Sequence, residues 1–440
     1  MLRPRRSSSL YSDAKVRGSI HLSSAKPRLV TGTFLLITVA TFLYFLAVGA
    51  LIPTLPLYVE GPLGGTSVSV GLAVGAFAIS AVVLRPFIGG ISDRNGRKLL
   101  MLGGAGLVGL SMAAYSFADT LWLLIGLRVV TGAGEAAFYT GAASAINDLA
   151  PDARRGEALS YFSLALYSGL ALGPILGESV LEAISFDAAW FVAGAFSGAA
   201  ALLAWWLPDT RPPAGSVDVQ EPALRRIVHP AGLRPGTILA SSVWGLAGFS
   251  AFVPLYAKEI GLGGSRSVFF TYSAVVLGFR SLGARIPDLL GPRKTASISL
   301  LCTTLGLCIV ATWADPIGLF GGAVVFGVGQ AMLFPAMMTI AINGARPSER
   351  GAVVGTFTAF FDLAFGLGSL SLGAVAHALG YRGLFFSAAA ISLGGFFLLQ
   401  GYARNPRPSS VVSGHAHDHP APALRTQGSD TSEMDAHSVR

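Results

Sequence analysis

Charge is what this chain lacks. Only 12% of its 440 residues are Asp, Glu, Lys or Arg, against roughly one quarter in soluble domains. So few charges do not clothe a water-soluble surface for a chain of this length. Cysteine is nearly absent: Cys302 and Cys308 share one apolar block at a spacing that points them to different helix faces, so neither a disulfide nor a metal pair is implied. Also missing are the phosphate-cradling GxxxxGK[ST] loop, the HExxH metal helix and the GxSxG serine elbow. No enzymatic activity and no cofactor is therefore implied. What the chain has instead is apolar residues, 52% of the total, in blocks of about 20, the length that crosses a hydrocarbon core about 30 Å thick. A soluble β protein would show short alternating strands. The 55 glycines sit largely inside these blocks, as in Gly103-Gly104-Ala105-Gly106 and Gly366-Leu367-Gly368. Such glycine costs a soluble helix about 1 kcal/mol, but in lipid small residues become packing surfaces.

The blocks predict twelve helices, at 32–58, 68–91, 99–118, 121–146, 158–181, 187–207, 236–257, 268–287, 295–313, 317–342, 352–379 and 384–402. They divide the chain into a basic tail (1–30), a first six-helix bundle (31–207), a polar Pro-rich linker (208–235), a second six-helix bundle (236–402) and a disordered tail (403–440). Cations orient them. Arg94, Arg97, Lys98, Arg154, Arg155, Arg293, Lys294, Arg346 and Arg350 lie in connections on one side, with the basic tail and the linker; Lys258, Arg266 and Arg382 lie on the other. The positive side is cytoplasmic, which predicts a multi-pass protein of the plasma (inner) membrane with both termini inside. The asymmetry accounts for the net charge of +8 without a nucleic-acid partner. The first 28 residues read as an ordinary basic tail before an inward-starting helix, with a transit peptide as the lesser reading. His415, His417 and His419 alternate in the C-terminal tail, a pattern taken as incidental, not as a metal site.

The densest polar stretch is Gly89-Gly90-Ile91-Ser92-Asp93-Arg94-Asn95-Gly96-Arg97-Lys98, read as a tight charged turn at one membrane face. It recurs. Arg85, Asp93, Gly96 and the cations after it are matched by Arg280, Asp288, Gly291, Arg293 and Lys294, about 195 positions later. A duplicated charged loop in an apolar chain marks a protein built from two similar halves.

These residues resemble the major facilitator superfamily, over roughly 30–402. The resemblance implies a gate at the cytoplasmic helix ends, formed by Asp93, Arg94 and Arg97 with Gly89 and Gly96 allowing close approach, and by Asp288 in the second copy. The second copy has Ala284 for Gly89 and Pro292 for Arg97, so its half of the latch is the weaker. Arg128-Val-Val-Thr-Gly132-Ala-Gly134-Glu135 resembles the family's second motif, and Gly327, Gly329 and Gln330 echo it without the arginine. Gly169-Leu-Ala-Leu-Gly173-Pro174-Ile-Leu-Gly177 resembles the helix-five motif of the antiporters, with Glu178 in place of its final glycine.

Charges inside the membrane cost about 2.5–3.5 kcal/mol or more and need a partner, a wet cavity or a proton. Arg128 and Glu135, seven positions apart, share a helical face about 10 Å apart; they read either as a structural pair or as a protonatable carboxylate tuned by its neighbouring cation. Asp362 stands alone near mid-depth in its helix, as a proton site or a substrate contact. Arg85 and Arg280 read as snorkelling members of the gate, and Glu178 as an interfacial acid. Tyr44, Tyr139, Trp244, Tyr256, Gln330 and Asn343 complete the cavity candidates. The resulting expectation is an all-α integral membrane protein, a monomer in the lipid bilayer, exchanging protons for a small organic molecule by alternating access. An importer of a sugar, an organic acid or another metabolite is the alternative, and a non-transporting receptor or scaffold the alternative of another class.

Overall fold

The computed structural model describes residues 29–151, 154–208, 229–282, 289–346 and 349–404. The basic tail to residue 28, most of the linker, Asp288 and the histidine-bearing tail lie outside the described residues. Within them the protein is all helical. The first half contributes α1 (Gly32–Glu60), α2 (Ser67–Asn95), α3 (Arg97–Ala114), α4 (Leu121–Leu149), α5 (Arg155–Ala183) and α6 (Phe186–Trp205). The second contributes α7 (Pro230–Glu259), α8 (Arg266–Leu282), α9 (Pro292–Thr312) and α10 (Pro316–Asn343). The last helical run, Arg350–Arg404, is broken at Gly380, where φ is 72°. Glycine tolerates that angle without a Cβ clash, and the break yields α11 (350–379) and α12 (381–404). Ten of the described helical runs are long and apolar enough to span a bilayer, the last of them containing both α11 and α12. Large apolar side chains face outward, among them Leu110, Phe117 and Phe397. Trp122 at the start of α4, and Trp205 and Trp206 at the end of α6, are exposed where an interfacial aromatic belt belongs.

Two expectations about boundaries are corrected. The stretch 89–98 is not a ten-residue turn: α2 stays helical to Asn95, and the chain reverses at Gly96 alone, with φ 87°. Polar residues extend a helix past the lipid as readily as apolar ones, so the helix stops where a left-handed residue permits. Gly291, with φ 81°, does the same before α9. The linker also ends early, because α7 begins at Pro230. Proline reads as a breaker, yet at the first helical position its fixed φ and missing N–H suit a helix start.

Helix α1 packs on α5 and α6, α3 on α4 and α6, α2 on α4, and α10 on α8 and α9. Contact between the halves runs through α5 with α8, α1 with α7, and α2 with α11, where the Ser369 hydroxyl donates to the Gly71 carbonyl at 3.4 Å. The helix-five glycines explain the α1–α5 contact. A Cβ at Gly173 would sit 2.5 Å from the Gly49 backbone, and one at Gly169 would sit 2.6 Å from the Phe42 carbonyl. Gly173→Val is therefore expected to destabilise the protein by about 1–3 kcal/mol through forced separation of the helices. Gly103→Ala, at a site with nothing within 4 Å, should stay within about 0.5 kcal/mol. Thermal melts of the detergent-purified variants measure the contrast.

Candidate functional site

Three helices bring one cation and two acids together. Arg85 of α2 reaches Glu135 of α4 with its Nη2 3.3 Å from Oε2, and its Nη1 donates to Asp362 of α11. The guanidinium also lies over the Tyr139 ring, 5.1 Å from its centroid. All three side chains are largely withdrawn from solvent, with Glu135 the least exposed at 11%. Arg85 was expected at the cytoplasmic gate. It sits instead with the two intramembrane acids, and through Asp362 it ties the first half to the second.

Arg128 does not pair with Glu135, although both occupy α4. Its Nε donates to the Ala73 carbonyl of α2 at 3.0 Å, and its guanidinium covers Phe77 at 4.5 Å. The shared helical face was read correctly as a spacing, but Glu135 is engaged by Arg85, and a long arginine stem reaches a neighbouring helix more easily than its own. The glycines of this motif serve close packing. A Cβ at Gly134 would come within 2.7 Å of Val108 of α3, and one at Gly132 would collide with Ser80 and Phe77 of α2.

Glu135, Asp362 and Arg128 face a cavity of about 260 Å³ between the halves, with Arg280, Gln330 and Tyr167 on its other walls. Most of the remaining lining is apolar, including Phe45, Phe77, Phe269 and Phe365. Of Tyr44, Tyr139, Trp244, Tyr256, Gln330 and Asn343, Gln330 alone is in the lining; its amide donates to Ser242 Oγ at 2.9 Å. Tyr139 stands behind Arg85. Tyr44 is fully buried, stacked on Phe138 at 3.9 Å. Trp244 donates to Ser371 Oγ at 2.9 Å and Tyr256 to the Val310 carbonyl at 3.0 Å. Asn343 ends α10. Aromatic residue type alone did not separate packing from lining. Tyr167 and Tyr272, which do line the cavity, carried no distinguishing signal in the sequence. Arg280, expected at the gate, lies in the cavity wall over Tyr167, 3.6 Å from the ring centroid.

At the end of the helices that carries Gly96, Arg97 Nε donates to Asp148 at 3.2 Å, within the first half. The side chains of Asp93 and Arg94, like Gly89 beyond its backbone and Asp288, lie outside the described residues. At the opposite end the halves are clasped. Glu178 of α5 accepts from the Ser265 backbone N–H at 2.6 Å and from its hydroxyl at 2.8 Å, at the start of α8. Arg266 adds an ion pair to Glu182 at 3.0 Å, and Tyr381 donates to Glu60 at 3.1 Å. The residue that departs from the antiporter motif is thus a cross-half contact, not an interfacial bystander. Among the described residues, no group of His, Cys, Asp and Glu is placed to hold a metal ion. Gly177 continues the α1-facing stripe of helix five, with Ala50 against it, while Pro174 is in the cavity lining.

The model of the Major Facilitator Superfamily matches residues 37–290 and 267–429. The chain belongs to this superfamily. An uncharacterized MFS-type transporter of Salmonella typhimurium is 29% identical over 373 residues, covering 82% of this chain and 94% of the relative. One from Burkholderia mallei is 27% identical over 371 residues, covering 81% and 89%. In fold, the chain is similar to a bacterial homologue of the human lysosomal transporter Spinster in an inward-facing, occupied conformation, with a TM-score of 0.72, 15% identity and coverage of 84% and 96%. The superfamily comprises membrane transporters, not enzymes, so the cavity is the place to seek a small-molecule substrate. Arg85→Gln strands both acids of this transporter without a cation. The expected cost is about 2–4 kcal/mol, somewhat under that of a fully enclosed pair because the site borders a cavity. Adding Glu135→Gln and Asp362→Asn to the Arg85→Gln protein should recover most of the loss in thermal melts, since no unpaired charge then remains.

Proposed function

We propose that this transporter is a proton-coupled exporter of a small organic molecule, working by alternating access, with Glu135 and Asp362 as its proton-binding pair. The observation that carries the reading is the single guanidinium of Arg85 shared by two carboxylates from opposite halves. With both acids ionised, the cluster holds one more negative than positive charge in a low-dielectric wall. A proton on either acid removes that surplus. A proton on Asp362 also releases the tie between α2 and α11 and leaves Arg85 to Glu135. A cross-half charge contact of about 1–3 kcal/mol changes a two-state balance roughly fivefold to 150-fold. Protonation and rocking of the halves are thereby one event.

Export is favoured by the exporter-like motifs at Arg128–Glu135 and Gly169–Gly177. A symporter importing a metabolite would use the same cluster and differs in moving protons with its substrate. The proposed setting is a plasma (inner) membrane with both termini cytoplasmic, where Asp93, Arg94, Arg97 and Asp288 latch the cytoplasmic gate in the other conformation. In that orientation the Glu178–Ser265 and Arg266–Glu182 contacts close the external face, and the structure represents an inward-facing state.

In proteoliposomes, Glu135→Gln and Asp362→Asn are expected to abolish transport driven by a pH gradient while counterflow survives, since exchange needs the cavity but no net proton movement. The amides keep nearly the same volume, so collapse of packing does not account for such a loss. Unchanged substrate-dependent proton flux in both variants would sink the assignment, and absence of counterflow in the wild type would favour a receptor. Glu178→Ala removes the Ser265 contacts from the external clasp and so weakens it. It should raise labelling of a Ser250→Cys reporter in the cavity by an impermeant thiol reagent added outside, by about fivefold or more if the clasp contributes about 1 kcal/mol.

A further inference from the structure

The repeat that relates the two charged loops also relates the cavity walls. An offset of 195 positions carries Arg85 to Arg280 and Glu135 to Gln330, and in the opposite direction it carries Asp362 to Tyr167. Arg280, Gln330 and Tyr167 line the same cavity, and Arg280 meets Tyr167 across the halves just as Arg85 meets Asp362. The fold has therefore built one cation niche twice, and both carboxylates of the first copy are neutral in the second. The Tyr167 ring lies beneath the guanidinium, and the Gln330 amide is turned to Ser242. Among the described residues no carboxylate is within ion-pair distance of Arg280, and its Nε is buried without an acceptor. A guanidinium does not escape by losing its proton, as a buried lysine does. Arg128, the other arginine in the lining, is already satisfied by Ala73 and Phe77.

We infer that Arg280 binds the negative charge of the substrate, which takes the place beside it that Asp362 and Glu135 take beside Arg85. The substrate class is an apolar organic monoanion, with a carboxylate as the best match to the planar fork of an arginine. Its body, one or two rings in size, rests on the aromatic and aliphatic lining. The two cavity acids do not select for a cationic compound, because Arg85 occupies both. The inference rests on the reading of the chain as a transporter that loads its cargo in this cavity.

The test is binding, measured on the full-length purified protein in nanodiscs by calorimetry with three matched probes: 2-naphthoate, 2-naphthamide and 2-naphthylmethylammonium. The acid is expected to bind about tenfold or more tightly than the amide, as a charge-assisted contact implies, with the ammonium weakest. Arg280→Gln should bring the acid to the level of the amide, and Arg280→Lys should keep part of the preference. Tyr167→Asp, which rebuilds the first-half arrangement around Arg280, should abolish acid preference although it enlarges the cavity; it keeps the test available if Arg280→Gln fails to fold. Three outcomes overturn the assignment: equal binding of acid and amide, binding of none of the probes, or a preference that survives in a folded Arg280→Gln protein. Counterflow is scored separately. Arg280-dependent acid binding without counterflow removes the transporter reading and leaves this site, whereas counterflow of a neutral or cationic solute without acid binding does the reverse.

Discussion

Hydrocarbon does not hold an unpaired charge cheaply, and the centre of this protein is arranged around that fact. Arg85 is the hub. One guanidinium answers two carboxylates on different helices, which fixes how α2, α4 and α11 face one another. Arg128 meets the same constraint by a different route, with a backbone carbonyl and an aromatic face. Arg280 meets it only in part, through the Tyr167 ring. The cavity is the space these solutions leave between the halves.

The charges meet only because the helices come close enough. Glycine supplies that closeness at a few defined places. Gly134 sets α4 against α3, and Gly132 sets it against α2, which delivers Glu135 to the side of Arg85. The α1–α5 contact is held by Gly49 against Gly173, and α5 then carries Tyr167 to Arg280 and Glu178 to Ser265. A cross-half contact such as Ser369 to Gly71 likewise holds α11 near enough to α2 for Asp362 to reach across. Small residues thus decide which polar groups meet, and the polar groups decide what that meeting does.

The membrane fold was legible because span length and apolar composition are local properties of sequence. Helix ends were less so: α2 runs through its charged stretch to Asn95, and Pro230 starts a helix that composition had given to the linker. Within the site, the sequence showed which residues were costly to bury but not who pairs with whom. The seven-residue spacing of Arg128 and Glu135 reports a shared face, while the partner of each comes from α2. A partner on another helix leaves no trace in spacing. Asp362 was recognisable as an isolated intramembrane acid, yet nothing near it in sequence pointed to Arg85, 277 positions away. Tyr167 was invisible for a further reason. Its counterpart under the repeat is Asp362, in the opposite half, so only the folded structure shows that the two positions do equivalent jobs.

That equivalence bears on coupling. Arg85 reaches from the first half to α11, and Arg280 reaches from the second half to α5. Each cation therefore spans a different seam between the halves, one at α2–α11 and one at α5–α8. In the proposed cycle a proton on Asp362 loosens the α2–α11 seam, and an anion beside Arg280 competes with Tyr167 for the guanidinium at the α5–α8 seam. Neither event needs a dedicated relay to the other. Both change the free energy of one motion, the rocking of the halves, and two ligands that bias the same two-state coordinate are coupled by linkage. A duplicated scaffold with identical charges in both copies would bind the same thing twice. Keeping the cation in both and the acids in only one gives the two seams different ligands, which an exchange of protons for an organic anion requires.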